Sequence, residues 1–185
     1  MNCQITNQSD LNMDDMAPLI DDLASAIQEK VGFKSMPAIT MKDDQDNADT
    51  LLGKTAYYDP KNKVITVFVT DRHPKDILRS IAHEFIHHGQ NLRGEFDNVG
   101  AMGEGYAQND EHLRNMEKEA YLLGNMCFRD WEDSYKKQMM ESIHRQNSFK
   151  RRNRTMKIHK WKNNELNRLL MEKFNFGGKK EYDLE

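Results

Sequence analysis

The chain has 185 residues, of which 37% are hydrophobic and 31% are charged, and its formal net charge is -3 at pH 7. That length predicts one domain with a sizeable core, and no apolar run approaches the roughly 18 residues of a membrane span. The two cysteines, Cys3 and Cys127, are far apart in the sequence, which argues against a disulfide framework, and their number excludes a four-cysteine zinc site. Because the N-terminus also lacks the basic and apolar regions of a secretory signal, the sequence predicts a cytoplasmic protein that does not associate with membranes.

The first third of the chain predicts a helix, a short strand and a loop. Residues 12–31 have apolar side chains at helical spacing and acids in the first turns, where the helix dipole favours them. Gly32 is a typical residue to end such a helix. Residues 37–41, with the sequence PAITM, alternate as a strand does, and the polar segment at 43–53 predicts a surface loop.

A β-hairpin and a second helix are predicted next. Residues 55–58 and 63–70 are rich in aromatic and β-branched side chains, and the four residues between them, DPKN, are typical of a turn. Residues 73–94 combine an apolar helical face with Pro74 at the start. Residues 94–106 contain four of the ten glycines, which predicts a loop.

The C-terminal half predicts two helices joined by a basic segment. One long helix is expected from about residue 110 to 146, and a shorter amphipathic helix is expected within 163–176. Residues 145–162 contain eight Lys or Arg and no acid, with Phe149 and Trp161 interleaved. Such a segment can contact phosphates and stack on bases, or it can be a solvated connector that pairs with the acidic N-terminal third.

The sequence HEFIH at residues 83–87 has the pattern H-E-x-x-H. Residues four apart lie on one face of a helix, so His83 and His87 can direct their imidazoles at one ion while Glu84 lies to its side. A zinc ion lowers the pKa of a bound water towards neutrality, and a neighbouring carboxylate can accept the proton. Since the pattern lies in an amphipathic helix, it favours a metal site over an exposed helix with incidental histidines.

A zinc site of this kind needs a third protein ligand. The three-histidine extension HExxHxxGxxH is excluded, because the chain has Gln90 and Arg93 where that pattern needs glycine and histidine. The candidates on the long helix are His112, Glu111, Glu117 and Glu119. Glu117 and Glu119 differ by about 200° around a helix, so only one can face the site. The position of the apolar stripe gives a small preference for Glu119.

The segments AHEFIHH at 82–88 and EKEAYLLGN at 117–125 resemble the gluzincin metallopeptidases, and among them the ImmA/IrrE-type small cytoplasmic zinc peptidases. The resemblance covers residues 36–130, including the strand pair before the motif. It implies an α+β zincin-like fold and a ligand glutamate just before an alanine, which here is Glu119. The glycine-rich loop, the basic C-terminal region and the lack of a recognisable helix-turn-helix module depart from that family, so no partner or regulation is implied.

Further residues can border such a site. In enzymes of this kind a strand beside the cleft holds an extended substrate through backbone hydrogen bonds, and residues 64–69 are the candidate for that edge strand. The developing oxyanion needs a donor beside the metal, and the candidates are Tyr106, His112 and Arg114. His88 lies on another face of the helix than His87, so its side chain is expected to be in solvent or to support the site without binding the metal.

The sequence therefore predicts an α+β zincin-like domain at 1–146, with a small sheet, an active-site helix and a ligand-bearing helix, followed by a basic helical extension at 147–185. The predicted function is zinc-dependent hydrolysis of peptide bonds in a protein or peptide substrate, with Glu84 as the general base. The predicted zinc ligands are His83, His87 and Glu119.

Two alternatives to this interpretation remain open. The basic segment at 145–162 also fits a resemblance to the SprT-type proteases, which act on DNA-bound proteins and use a third histidine, so that His112 would be the ligand. The second alternative is a non-catalytic protein that keeps the zincin-like fold and binds a partner or nucleic acid through the same basic segment.

Overall fold

The computed structural model describes residues 3–50, 53–97 and 110–150, with side chains up to residue 144. The described residues form one mixed four-stranded sheet and four helices, which confirms the predicted α+β class. By its internal contacts the chain divides into two compact units, Met1–Glu132 and Asp133–Glu185. The predicted amphipathic helix at 163–176 lies outside the described residues. None of the described helices is both long enough and apolar enough to cross a membrane.

Eight elements follow along the chain. The strands are β1 (Gln4–Gln8), β2 (Ala38–Lys42), β3 (Ala56–Asp59) and β4 (Val64–Phe68). The helices are α1 (Met13–Val31), α2 (Gln45–Ala48), α3 (Pro74–Leu92) and α4 (Glu111–Lys150). The sequence predicts all of them except β1 and the single turn of α2, which lies in the segment expected to be a loop.

The sheet has the strand order β1-β2-β4-β3. β1 and β4 each pair with β2 in parallel, while β3 pairs with β4 in antiparallel orientation and forms one edge of the described sheet. The prediction that residues 64–69 form the edge strand is therefore wrong, because β4 lies between β2 and β3. The hairpin was correctly predicted, but its second strand pairs on both sides.

The hydrogen-bonding pattern of the hairpin defines which backbone groups of β3 face outwards. The backbone N–H of Phe68 donates to the carbonyl oxygen of Thr55 at 3.1 Å. Hydrogen-bonded and non-hydrogen-bonded pairs alternate along an antiparallel ladder, and Ala56 and Tyr58 occupy the non-hydrogen-bonded positions. The N–H and C=O groups of these two residues therefore point away from β4.

Local signals set the bounds of α1. The side chain of Asn12 accepts a hydrogen bond from the backbone N–H of Asp14, and Gly32 ends the helix with a φ of 83°, a left-handed conformation that glycine adopts without strain. The apolar face is buried, as the helical spacing predicts. Its members are Met16, Leu19, Ile20, Leu23, Ala24 and Ile27.

α3 packs against both α1 and the β3–β4 hairpin. Its N-cap is His73, and Pro74 occupies the first turn, where a missing backbone N–H costs nothing. At Gly89 an added Cβ would lie 2.9 Å from a methyl group of Val31, so glycine permits the close contact with α1. Because α3 is covered on more than one side, polar residues of its second half are buried with the apolar ones.

Candidate metal centre

Two histidines of α3 and one glutamate of α4 bring three ligand atoms together. The Nε2 atoms of His83 and His87 lie 3.1 Å apart. One carboxylate oxygen of Glu117 lies 3.4 Å from Nε2 of His83, and the other lies 3.5 Å from Nε2 of His87. Within the described part of the chain, these three side chains are the group of metal-ligating residues that can hold an ion.

The spacing of these atoms fits a tetrahedral ion. Zinc lies about 2.0–2.2 Å from nitrogen and oxygen ligands, so two ligand atoms of a tetrahedral site are about 3.4 Å apart. The two imidazole nitrogens lie 3.1 Å apart, and each lies 3.4 or 3.5 Å from a different oxygen of the Glu117 carboxylate. With one ligand atom taken from each residue, all three lie within 4.8 Å of one another. Lone pairs that converge at such distances repel one another unless a proton or a metal ion lies between them. Two imidazoles and one carboxylate are also the ligand set of catalytic zinc sites that keep one position open.

The backbone of α4 approaches α3 closely beside the first ligand. A Cβ atom added at Gly124 would lie 3.0 Å from Cα of His83 and 3.3 Å from the carbonyl oxygen of Ala82. Even the Cβ of an alanine would be a tight contact between these backbones. This contact brings the two helices close enough for Glu117, two turns earlier in α4, to reach the imidazoles.

Glu117, rather than Glu119, is the glutamate that the structure brings to the imidazoles. Both carboxylate oxygens of Glu119 accept from Nη2 of Arg93 at 2.9 Å, and one of them also accepts from Nε2 of Gln90 at 2.9 Å. The guanidinium of Arg93, just beyond the end of α3, therefore gives Glu119 a charged partner outside the site. The small preference for Glu119 from the apolar stripe could not include that partner.

The carboxylate of Glu84 is buried beside the three ligands, with 7% of the residue exposed. Burial raises the pKa of Glu84, because desolvation disfavours the charged form, while the charges of His87 and His83 lower it in part. The outward-facing backbone N–H of Tyr58 also lowers the pKa of this carboxylate in part. A buried, oriented carboxylate next to an ion site is suited to accept a proton from water.

The side chain of Tyr58 is held by α3 as well. Its hydroxyl donates to Nδ1 of His88 at 2.9 Å and accepts from Nδ2 of Asn91 at 2.8 Å. Nε2 of His88 donates to the carbonyl oxygen of Ser35 at 2.7 Å. Burial lowers the pKa of His88, and one donating and one accepting nitrogen define a neutral imidazole. His88 therefore supports the edge strand from inside the protein and is not in solvent.

The imidazole of His87 is also fixed on the side away from Glu117. Its Nδ1 lies 2.7 Å from Oε1 of Gln90. Burial alone would lower the pKa of His87, but the hydrogen bond with Glu117 and the charge of Glu84 outweigh it, so the pKa lies above its usual value. No sequence pattern pointed to Gln90 beyond its place three residues after His87.

The remaining predicted residues are not among the three ligands, and some lie outside the described residues. Nε2 of His112 donates to the carbonyl oxygen of Glu95 at 2.9 Å, so the structure does not bring His112 into the metal-ligating group. Arg114 lies on an exposed position in the first turns of α4. Tyr106 lies outside the described residues, as do the side chains of the basic segment at 145–162.

Two aromatic residues near the site were not singled out from the sequence. The ring of Phe96 lies 6.3 Å from the rings of both His87 and Tyr58. The ring of Tyr121 lies 6.5 Å from that of His83 and is largely exposed. Tyr121 follows Glu117 by four residues, so helical spacing alone could have placed it on the same face. One aromatic ring therefore lies near each of the two ligand imidazoles.

Comparisons with protein-family models, curated proteins and solved structures give no match to this chain.

Proposed function

We propose that this protein is a zinc-dependent peptidase with a zincin-like fold, whose metal ligands are His83, His87 and Glu117. The observation that carries the proposal is the convergence of two imidazole nitrogens and the Glu117 carboxylate at 3.1 to 3.5 Å, with the Glu84 carboxylate buried beside them. The chain order supports it too, since a strand pair precedes the H-E-x-x-H helix and a helix with the third ligand follows.

The residues of the site divide the chemistry of hydrolysis between them. Zinc with three protein ligands lowers the pKa of its bound water to about 7. Glu84 accepts a proton from the attacking water and delivers it to the nitrogen of the scissile amide, so that the C–N bond breaks into a carboxylic acid and an amine. A carboxyl with a raised pKa is a stronger base than one in free solution, and burial raises the pKa of Glu84.

The edge strand β3 gives this proposal a way to hold a peptide. The N–H and C=O of Ala56 and the C=O of Tyr58 point away from β4, on the strand whose Tyr58 N–H contacts Glu84. An extended peptide can add to such an edge through backbone hydrogen bonds. Substrate binding would therefore use β3, and not the interior strand β4.

The test combines metal analysis with peptide cleavage by matched variants. The purified protein is expected to contain about one zinc per chain and to cleave unfolded casein or a mixed peptide library. Glu84→Gln should retain zinc and lose at least about 100-fold in rate, as expected for removal of a general base. His83→Ala should lose both zinc and activity.

His112→Ala separates the proposal from the three-histidine alternative. That variant should keep its zinc, because the imidazole of His112 bonds to Glu95 and not to the site, whereas a SprT-like site would lose it. A wild-type protein without zinc, unable to take it up at micromolar supply, would exclude the metal site. If the protein binds zinc but cleaves no peptide, the metal site is supported and the proposed peptidase activity is wrong.

A further inference from the structure

Gln90 connects the two helices that carry the metal ligands. It is fully buried on α3, and its Oε1 lies 2.7 Å from Nδ1 of His87. Its Nε2 donates to the carbonyl oxygen of Met116 and to one carboxylate oxygen of Glu119, both at 2.9 Å. One side-chain amide therefore links a histidine ligand on α3 with the backbone of α4, one residue before the ligand Glu117.

These partners determine which nitrogen of His87 carries a proton. A backbone carbonyl and a carboxylate can only accept, so the amide nitrogen of Gln90 must face Met116 and Glu119. The amide oxygen is then left for His87, and it too can only accept, so Nδ1 of His87 must be the donor. A neutral imidazole with its proton on Nδ1 has its lone pair on Nε2, the atom that faces His83 and Glu117.

Glu119 and Arg93 hold this amide in place. The carboxylate of Glu119 accepts from Gln90, and both of its oxygens also accept from Nη2 of Arg93 at 2.9 Å. The positive guanidinium offsets the charge of Glu119, so the carboxylate can accept from a buried amide without standing unpaired. Of the two glutamates in the sequence EKE, one faces the ion site and the other fixes the residue that orients a ligand.

We infer that Gln90 is a positioning residue of the metal site, which keeps His87 in its Nδ1–H tautomer and fixes α4 at Met116. The inference rests on the proposed zinc site. Hydrogen-bond partners of this kind set the orientation of ligand imidazoles, and their removal weakens metal affinity by about 10–100-fold. Gln90 itself touches neither substrate nor metal.

The first test needs no metal and no variant. Nitrogen NMR of the metal-free protein, recorded at alkaline pH where the imidazoles are neutral, should show the proton of His87 on Nδ1. A proton on Nε2 would overturn the inference, and it would do so whether or not the protein is a peptidase.

The second test compares Gln90→Leu with Gln28→Leu. Gln28 is a control, since its side-chain amide also donates to a backbone carbonyl, that of Phe33 at 3.0 Å, but that bond closes the end of α1 and does not reach a metal ligand. Zinc dissociation constants from competition with a chromophoric chelator should rise about 10–100-fold for Gln90→Leu and stay unchanged for Gln28→Leu. The visible spectrum of the Co²⁺-loaded protein should change for Gln90→Leu alone.

The outcomes separate this inference from the proposed function. If Gln90→Leu binds zinc as the wild type does, with the same Co²⁺ spectrum, Gln90 does not position the site, although the site itself stands. If both glutamine variants lose affinity equally, the effect is one of general stability and the inference fails. If the wild-type protein binds no zinc, the proposed metal site is wrong. The tautomer of His87, measured by NMR, then remains the test of whether Gln90 orients that imidazole.

Discussion

Gly124 of α4 meets the backbone of His83 on α3 so closely that an added Cβ would lie 3.0 Å from Cα and 3.2 Å from N of that residue. Both contacts are with backbone atoms, which cannot rotate away as a side chain can. The glycine therefore sets how near α4 comes to the first metal ligand. In the sequence it reads only as a mild interruption of a long helix.

Replacement of Gly124 by alanine should weaken zinc binding as well as the fold. Alanine gains about 1 kcal/mol in helix propensity, but overpacking against a backbone costs about 1–3 kcal/mol, so we expect a net loss of about 1 kcal/mol. Urea denaturation and zinc titration measure the two effects. Asn115→Ala, an exposed position of the same helix, is the control and should leave zinc affinity unchanged. Unaltered zinc affinity in Gly124→Ala would contradict this role.

Elements with local signals could be predicted from the sequence. Asn12 and Gly32 cap α1, Pro74 begins α3, and each lies within one residue of the observed helix end. β1 could not be predicted, because its sequence QITNQ is polar and mostly exposed. It is a strand because it pairs along its whole length with β2, and such pairing is not local information.

The residues of the candidate site also fall into those that local sequence predicts and those that depend on how the elements pack. His83, Glu84 and His87 follow from the helical spacing of one motif. The choice between Glu117 and Glu119 depends on how α4 is rotated against α3, and that rotation is set by the Gly124 contact and by Arg93 pairing with Glu119. The polar partners of the motif were missed for the same reason, since they become neighbours only when the helix and β3 meet.

A pair of isosteric variants tests which glutamate is the ligand. Glu117→Gln removes a charged oxygen from the ligand set, so zinc affinity should fall by more than the roughly 100-fold that bounds the loss of an outer partner. Glu119→Gln disturbs only the support of Gln90 and should fall within about 10–100-fold. Both are measured by competition with a chromophoric chelator. The opposite order would make Glu119 the ligand.

Tyr58→Phe tests the anchoring of the edge strand. The variant removes the hydroxyl that bonds to His88 and Asn91, and it leaves the buried imidazole without a donor, so we expect a loss of about 1–3 kcal/mol in the free energy of unfolding. The backbone N–H to Glu84 remains, and peptidase activity should fall less than in Glu84→Gln. Urea denaturation gives the energy. Tyr57→Phe, at a neighbour that is 44% exposed, should change nothing.

Asp59 should make the stability of the hairpin depend on pH. The side-chain amide of Asn62, with two backbone N–H groups, lowers the pKa of Asp59 by bonding its charged form. A depressed folded pKa contributes stability above the unfolded value of about 3.9, and the contribution is lost as the pH falls through the folded pKa. Asp59→Asn should thus be less stable than wild type by about 1 kcal/mol at neutral pH, and the gap should close in acid.

Denaturation at several pH values in the presence of a chelator measures that gap without the proton dependence of metal binding. Other carboxylates titrate equally in both proteins, so their effects cancel in the difference. A gap that stays constant between neutral and acid pH would show that the charge of Asp59 contributes nothing to the turn.

Zinc should raise the melting temperature by an amount that grows with the logarithm of its concentration relative to its dissociation constant for the folded protein. A ligand at 100 times its dissociation constant stabilises the native state by about 2.7 kcal/mol, which for a chain of this size corresponds to about 5–10 °C. A chelator should reverse the shift. His83→Ala should show no shift, because two remaining ligand atoms do not make a tetrahedral site. Magnesium at the same concentration is the control, since it prefers six oxygen ligands. A shift of equal size with magnesium, or in His83→Ala, would mean that the stabilising ion binds elsewhere than between His83, His87 and Glu117.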